Sequence, residues 1–204
     1  AQVKGAPMAR RTIQFAQSQY YHVYNRGARR RSIFLDDTDY HNVLHALKSY
    51  SSRYGIAIIA YCLMPNHYHW LIRQDGDISA RYLMQYIFNG YVKTFNARHQ
   101  NTGTIFEGPY QARHVDREAY LLHLCRYIHA NPVRHGFAAA PELWPYSNYL
   151  EWIGRRRGTL VDRTFIQTHF PDTEQYAASI QAYLQSRIAL PPELRRYLDE
   201  LEEE

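Results

Sequence analysis

Residues 56–73, IAIIAYCLMPNHYHWLIR, decide the fold of this chain, because they contain two short apolar runs separated by one tight turn. The first run ends at Pro65-Asn66, and the second begins directly with His67. Apolar runs of this length, bounded by turn-forming residues, are typical of buried β-strands. The stretch therefore predicts a β-hairpin.

Helical and strand patterns alternate on both sides of the hairpin. Stretches in which apolar residues recur every three or four positions predict helices, and short runs rich in tyrosine or valine predict strands. In chain order these are a strand at 19–25, a helix at 36–54, the hairpin, a helix at 78–99 and a strand at 110–115. The order βαββαβ predicts an α+β fold of the ferredoxin-like split βαβ type, with an antiparallel sheet and helices on one face.

A further helix is predicted after the last strand. Its pattern covers residues 117–130, with Leu121, Leu124 and Ile128 on the buried side. We expect this helix to end at Asn131, because the residue before a proline is pushed out of the α region.

The chain divides into three predicted parts. Residues 1–9 are small and polar and are interpreted as a flexible tail ahead of the native start. Residues 10–154 are predicted to form the main domain. Residues 155–204 are predicted to form a helical appendage with an acidic end, with helical patterns over about 162–187 and 192–202.

The charge distribution favours a nucleic-acid partner. The formal net charge is +5, but residues 1–31 contain seven bases and no acid, whereas the last six residues contain five acids. Such asymmetry is typical of proteins that bind polyanions, although many proteins of similar charge bind none. The 19 tyrosines strengthen the interpretation, because unpaired bases stack on exposed aromatic faces.

Two features predict a cytoplasmic protein. Neither a run of about 18 apolar residues nor an apolar segment after the N-terminal bases is present, so we expect no membrane span and no signal peptide. Cys62 and Cys125 lie in apolar stretches without metal or disulfide spacing, and we expect both to be small buried groups in a reducing compartment.

His67 and His69 alternate with Tyr68 on the second strand of the hairpin, so both imidazoles are expected on one face. A His-x-His pair is a short motif and can equally be two packed or exposed histidines. The apolar surroundings favour a metal site, because two unpartnered imidazoles would be costly to bury there.

Tyr127 and Asn131 are the candidates for a nucleophile and a third metal ligand. They lie four residues apart on the predicted third helix and therefore on one face of it. An amide oxygen and two imidazoles would leave positions open on a divalent cation, as a catalytic site requires. The alternatives are a boundary tyrosine that covers core and an asparagine that caps the helix.

Two motifs carry a resemblance to a known family. Residues 64–72, MPNHYHWLI, and residues 125–134, CRYIHANPVR, resemble the REP-associated tyrosine transposases, a branch of the single-tyrosine HUH transposases. The likeness extends from about residue 20 to residue 153 and includes YHVYNRG at 21–27, GTIF at 103–106 and WPYS at 144–147. The two motifs are specific in this order and at this separation.

The resemblance implies that the main domain, residues 10–154, is a DNA-cleaving enzyme. It implies Mg²⁺ or Mn²⁺ on His67 and His69, with Asn131 as candidate third ligand, where related insertion-sequence transposases have glutamine. It implies Tyr127 as a nucleophile that becomes linked to a 5′ phosphate, with no nucleotide cofactor. Its substrate would be a DNA hairpin with a single-stranded flank. The protein itself would be associated with the bacterial nucleoid.

Basic residues and one amide are the predicted DNA contacts. Four of the basic residues follow the first strand, two precede it, and three are expected near the active site. These residues are Arg10, Arg11, Asn25, Arg26, Arg29, Arg30, Arg31, Arg113, Arg126 and Arg134.

Two alternatives to this function remain open. One is a hairpin-binding repressor or architectural protein without catalysis, and the other is a relaxase or rolling-circle initiator of the same metal-and-tyrosine kind. The presence of both histidines and of Tyr127 favours an active enzyme, and the short chain favours a transposase. We expect a monomer rather than a dimer.

Overall fold

The computed structural model describes residues 13–186 and 188–203, so the predicted tail at 1–9 lies outside the described residues. The described elements include four strands, seven α-helices and two short 3-10 turns at Ala28–Arg30 and Pro141–Leu143. The strands are β1 (Tyr20–Arg26), β2 (Ile56–Met64), β3 (His67–Gln74) and β4 (Gln111–Val115). The helices are α1 (Asp37–Tyr54), α2 (Arg81–His99), α3 (Glu118–Arg134), α4 (Tyr149–Trp152), α5 (Arg163–His169), α6 (Thr173–Leu184) and α7 (Pro192–Glu203).

The four strands form one antiparallel sheet in the order β2-β3-β1-β4. The hairpin pairs Met64 with His67, as the apolar runs and the turn predict. Strand β3 lies between β1 and β2, and β1 lies between β3 and β4, which makes two interleaved βαβ units. The predicted ferredoxin-like fold with an antiparallel sheet is therefore confirmed.

Both faces of the sheet are covered by helices. An irregularity in β2 between Ile58 and Ala60 changes which face the following residues occupy, so Ile58 and Tyr61 both pack with the side chains of α1 and α2. Ile59 and Ala60 pack with α3, α6 and α7 on the other face. The prediction of helices on one face thus describes α1 and α2, and the third helix with the C-terminal helices covers the second face.

Helix α1 ends abruptly and leads straight into β2. Its N-terminus is capped by Asp36, whose side chain accepts a hydrogen bond from the Asp39 amide. Its C-terminus is Gly55, which adopts the left-handed conformation with φ of 63°. A Cβ at Gly55 would lie 2.9 Å from the backbone of Gly76, so the turn requires glycine for two reasons.

Helix α3 continues beyond its predicted end. It passes through Pro132 and ends at Arg134, so the expectation that Asn131 terminates it is wrong. The backbone preference before proline is overridden because Asn131 and Pro132 are buried in the helix packing. The following chain also satisfies the last carbonyls: the His135 amide donates to Asn131 at 3.0 Å, and the Phe137 amide donates to Pro132 at 2.8 Å.

The C-terminal helices pack on α3. The single pattern predicted over 162–187 is wrong in one respect, because it is broken near Pro171 into α5 and α6, and the Asp172 side chain caps α6. Tyr176 and Ile180 of α6 and Leu198 of α7 are buried in the same core cluster as α3. The division of the chain at residue 155 stays a prediction. None of the helices in the described ranges combines the length and apolarity that crossing a bilayer requires.

Candidate metal and tyrosine site

His67 and His69 lie at the start of β3, on the sheet face that α3 covers. Tyr68 between them packs into the opposite core, as strand alternation requires. Burial, with a smaller contribution from His135, lowers the pKa of His67 to about 4. Burial also lowers the pKa of His69 well below its usual range. Both rings are therefore neutral at pH 7, which is the form that binds metals.

Tyr127 and Asn131 lie one turn apart on α3, and each contacts one of the two histidines. Asn131 Oδ1 lies 3.3 Å from His67 Nε2. The Tyr127 ring lies edge-on to His69, with 5.3 Å between the ring centroids. Helix α3 packs on β2 and β3, and this packing brings residues far apart in sequence into one group.

The donor atoms of this group fit a divalent cation. The rings of His67 and His69 lie 5.2 Å apart between centroids, at an interplanar angle of 82°. Asn131 adds an amide oxygen close to His67 Nε2. Two neutral imidazoles and an amide oxygen form a nitrogen and oxygen donor set, in which imidazole suits transition-metal cations and the amide oxygen suits Mn²⁺ or Mg²⁺.

A cavity of about 480 Å³ opens in front of the two histidines. Its walls include Arg26 at the end of β1, Arg30 in the following turn, the loop before β4, and Leu201 of α7. Tyr127 is only 1% exposed. The two histidines therefore face the cavity, whereas the Tyr127 side chain is shielded from it.

Three residues of the site were not predicted. His22 of β1 and Tyr197 of α7 form a hydrogen-bonded chain with His69, and His135 lies 5.0 Å from His67 between ring centroids. The position of His22 beside His69 follows from the register of β1 against β3, which the sequence does not reveal. His135 would have been found if the third helix had been extended past Asn131, because it lies one turn further on.

The end of β1 and the basic turn that follows it, residues 27–30, form one edge of the cavity. Arg26 pairs with Glu107, and Asn25 donates from its side chain to the Gly108 carbonyl at 3.0 Å. Arg29 and Arg30 have φ values of 56° and 58° in the left-handed region. Non-glycine residues adopt this conformation at a cost of about 1–2 kcal/mol each, and such strain concentrates at functional sites.

The remaining predicted arginines occupy different surroundings. Arg31 is exposed beside the basic turn. Arg113 stacks on Tyr197 with 3.9 Å from its guanidinium carbon to the ring centroid. Arg134 lies 5.8 Å from the centroid of Tyr127. Arg126 bonds Ser179 of α6 and so contacts the C-terminal helices instead of the cavity.

Two further predicted DNA contacts, Arg10 and Arg11, lie outside the described residues. Their proximity to the cavity stays a prediction.

A second group of metal-type side chains lies at the start of α1. Asp36, Asp39 and His99 bring ligand atoms within 4.8 Å of one another. Both carboxylates are already bonded to Arg98, and His99 bonds Asp39 at 2.9 Å. The group is therefore a satisfied ion-pair network that links α1 to α2.

Comparison with known proteins identifies relatives of this arrangement. The family model for IS200-like transposases matches residues 15–131. A Haemophilus influenzae protein described as a REP-associated tyrosine transposase is 25% identical over 123 residues, which cover 55% of this chain and 70% of that protein. The family match includes the hairpin, both histidines and α3 as far as Asn131.

A solved structure shares the fold. It is a REP-associated tyrosine transposase bound to a REP hairpin, with a TM-score of 0.59 and 19% sequence identity. The similarity covers 76% of this chain and 94% of that chain. This likeness concerns the backbone architecture.

Proposed function

The chain belongs to the IS200-like transposase family, and from this premise we propose that it cleaves and rejoins single-stranded DNA beside REP-type hairpins. The observation that carries the proposal is the convergence of two neutral histidines, Asn131 and Tyr127 at one cavity. REP-associated tyrosine transposases among the relatives support the substrate class.

We propose that His67, His69 and Asn131 hold Mg²⁺ or Mn²⁺. When bound, such a cation supplies Lewis-acid stabilisation of charge on the scissile phosphate. The cavity side of the two histidines is the side from which a DNA backbone can approach.

Tyr127 is the proposed nucleophile. A tyrosine has a reference pKa near 10, so presenting the phenolate at pH 7 costs about 4 kcal/mol. The guanidinium of Arg134 lies 5.8 Å from the centroid of the Tyr127 ring, so a positive charge stands near the proposed nucleophile. Attack of Tyr127 Oη on phosphorus forms a 5′-phosphotyrosine while the bond to the 3′ oxygen breaks. The Tyr127 hydroxyl loses its proton to solvent and the leaving 3′ oxygen takes one up. Attack by another 3′-OH, which loses its proton in turn, releases the Tyr127 oxygen, which is reprotonated, and joins strands.

The basic turn, with Arg26 before it and Arg31 after it, is the proposed phosphate-binding edge. Arg26 and Arg30 line the cavity itself, and the exposed Arg29 and Arg31 extend the positive surface from it. Arginine side chains bind backbone phosphates without reading sequence. We propose that this edge holds the hairpin stem while the unpaired flank enters the cavity.

The proposed enzyme acts as a monomer in the cytoplasm. One chain contributes both histidines, Asn131 and Tyr127, so the site needs no residue from a second copy.

A hairpin-binding protein without catalysis is the second candidate. The burial of Tyr127 favours it, because a buried hydroxyl cannot reach a phosphate unless the surrounding structure opens. This candidate predicts hairpin binding and no strand cleavage with either metal.

Incubation with a REP-type hairpin oligonucleotide and Mn²⁺ or Mg²⁺ separates the two candidates. We expect a cut strand and a covalent protein–DNA adduct, both abolished by EDTA and by Tyr127→Phe. Tyr82→Phe is the matched control, because Tyr82 is an exposed tyrosine of α2, which packs on the face of the sheet opposite α7. Binding without cleavage by the unaltered protein would establish the second candidate, and cleavage by Tyr127→Phe would overturn the nucleophile.

A further inference from the structure

His22 is a fully buried polar residue on the sheet face that carries the proposed metal ligands. Its Nε2 lies 3.0 Å from Nδ1 of His69, and its Nδ1 lies 2.6 Å from the hydroxyl of Tyr197. The His22 and His69 rings are stacked, with 5.1 Å between centroids and an interplanar angle of 20°. Both ring nitrogens of His22 are therefore engaged, one by His69 and one by α7.

These hydrogen bonds determine which ring nitrogen of His69 and of His22 carries the proton when His69 binds a metal. Nδ1 of His69 faces His22, so only Nε2 of His69 can bind a metal. A histidine that binds through Nε2 carries its proton on Nδ1 and donates it to a neighbouring acceptor. The acceptor here is Nε2 of His22, which places the His22 proton on Nδ1, where it donates to the Tyr197 hydroxyl.

We propose that His22 is a positioning residue that holds His69 in the orientation and tautomer needed for metal binding. This inference rests on the proposed metal site, and it extends the site by one layer toward α7. His22 does not ligate the metal, because both of its nitrogens are engaged, one by His69 and one by Tyr197.

A packing role would also require a ring at this position, and two substitutions distinguish the roles. His22→Phe keeps the ring volume and removes both nitrogens. His22→Gln loses ring contacts but keeps an oxygen that can accept from His69 and an N–H that can donate to Tyr197. Positioning predicts that the glutamine variant binds metal better than the phenylalanine variant, whereas packing predicts the reverse order.

The test measures Mn²⁺ affinity of the full chain by electron paramagnetic resonance. Loss of a hydrogen-bonding partner behind a metal ligand weakens binding by about 10- to 100-fold, which is the loss expected for His22→Phe. We expect His22→Gln to recover most of it. Equal affinity in His22→Phe and the unaltered protein, or stronger binding by the phenylalanine than by the glutamine variant, would overturn the proposal.

Two further measurements distinguish failure of this proposal from failure of the proposed metal site itself. His67→Ala should abolish binding, and failure of the unaltered protein to bind Mn²⁺ would instead refute the proposed function. If His22→Phe does not fold, nitrogen-15 NMR of the unaltered protein with Mg²⁺ still decides the question. His22 should carry its proton on Nδ1, and a proton on Nε2 would contradict the proposal because that nitrogen could not accept from His69.

Discussion

Helix α7 closes one side of the proposed active site, and weakening its attachment should accelerate DNA cleavage. Leu201 lines the cavity in front of the histidines, and Tyr197 bonds His22 behind them. Tyr127 is 1% exposed in this arrangement. We therefore expect the end of α7 that carries Leu201 to move away before a phosphate reaches the Tyr127 hydroxyl, while Tyr197 stays bonded to His22.

Leu198→Ala is the perturbation that tests this expectation. Leu198 is 2% exposed and belongs to the core cluster shared with α3. Truncation of a buried leucine to alanine costs about 2–5 kcal/mol. If the packing that attaches α7 is weakened by only about 2 kcal/mol, the fraction of molecules in which α7 has opened rises roughly 30-fold, since about 1.4 kcal/mol corresponds to tenfold.

The assay is single-turnover formation of the covalent adduct at saturating hairpin DNA and Mn²⁺, well below the unfolding temperature. We expect the rate to rise by up to roughly 30-fold, until the open form dominates. Ile180→Ala is the matched control, because it removes a buried side chain of the same cluster from α6 and leaves α7 intact. An unchanged or slower rate in Leu198→Ala, or the same rate in both variants, would refute the reasoning.

Three further predictions concern DNA binding, the metal and the fold. Replacing residues 29–31 by alanine should reduce the salt dependence of hairpin affinity, lowering the logarithmic slope by about 2–3; an unchanged slope would contradict their contact with phosphates. Asn131→Ala should weaken Mn²⁺ binding at least about tenfold while Asn131→Asp retains it, and equal affinities in titrations of both variants would exclude Asn131 as a ligand. Asp39→Ala should lower the free energy of unfolding by about 2 kcal/mol and the Tm by about 4–8 °C, because it removes the buried acceptor of the Leu35 amide and of His99; a loss below about 0.5 kcal/mol in urea denaturation would contradict this.

The fold was largely predictable because its strong signals are local. The apolar runs around Pro65-Asn66 predict the hairpin, and the periodic stretches before and after it predict α1 and α2. The end of α3 was not predictable from the backbone preference of the residue before Pro132. Burial of that proline and hydrogen bonds from the following chain decide the outcome, and both depend on tertiary packing.

The candidate site also has a part that local sequence patterns predict and a part that depends on tertiary packing. Spacing alone puts His67 and His69 on one face and Tyr127 and Asn131 on one helix face. It says nothing about His22, whose place beside His69 depends on how β1 is aligned along β3 in the sheet. The contacts of α7 are equally long-range, so no sequence pattern in its twelve residues indicates that it reaches the cavity.

The most direct test of the central claim is to identify the amino acid that becomes linked to DNA. Trypsin releases residues 127–134, YIHANPVR, a peptide that contains a single tyrosine. After reaction with a REP-type hairpin and Mn²⁺, mass spectrometry should find a 5′-phosphonucleotide on Tyr127 in that peptide. A nucleotide on any other tyrosine would contradict the proposed mechanism.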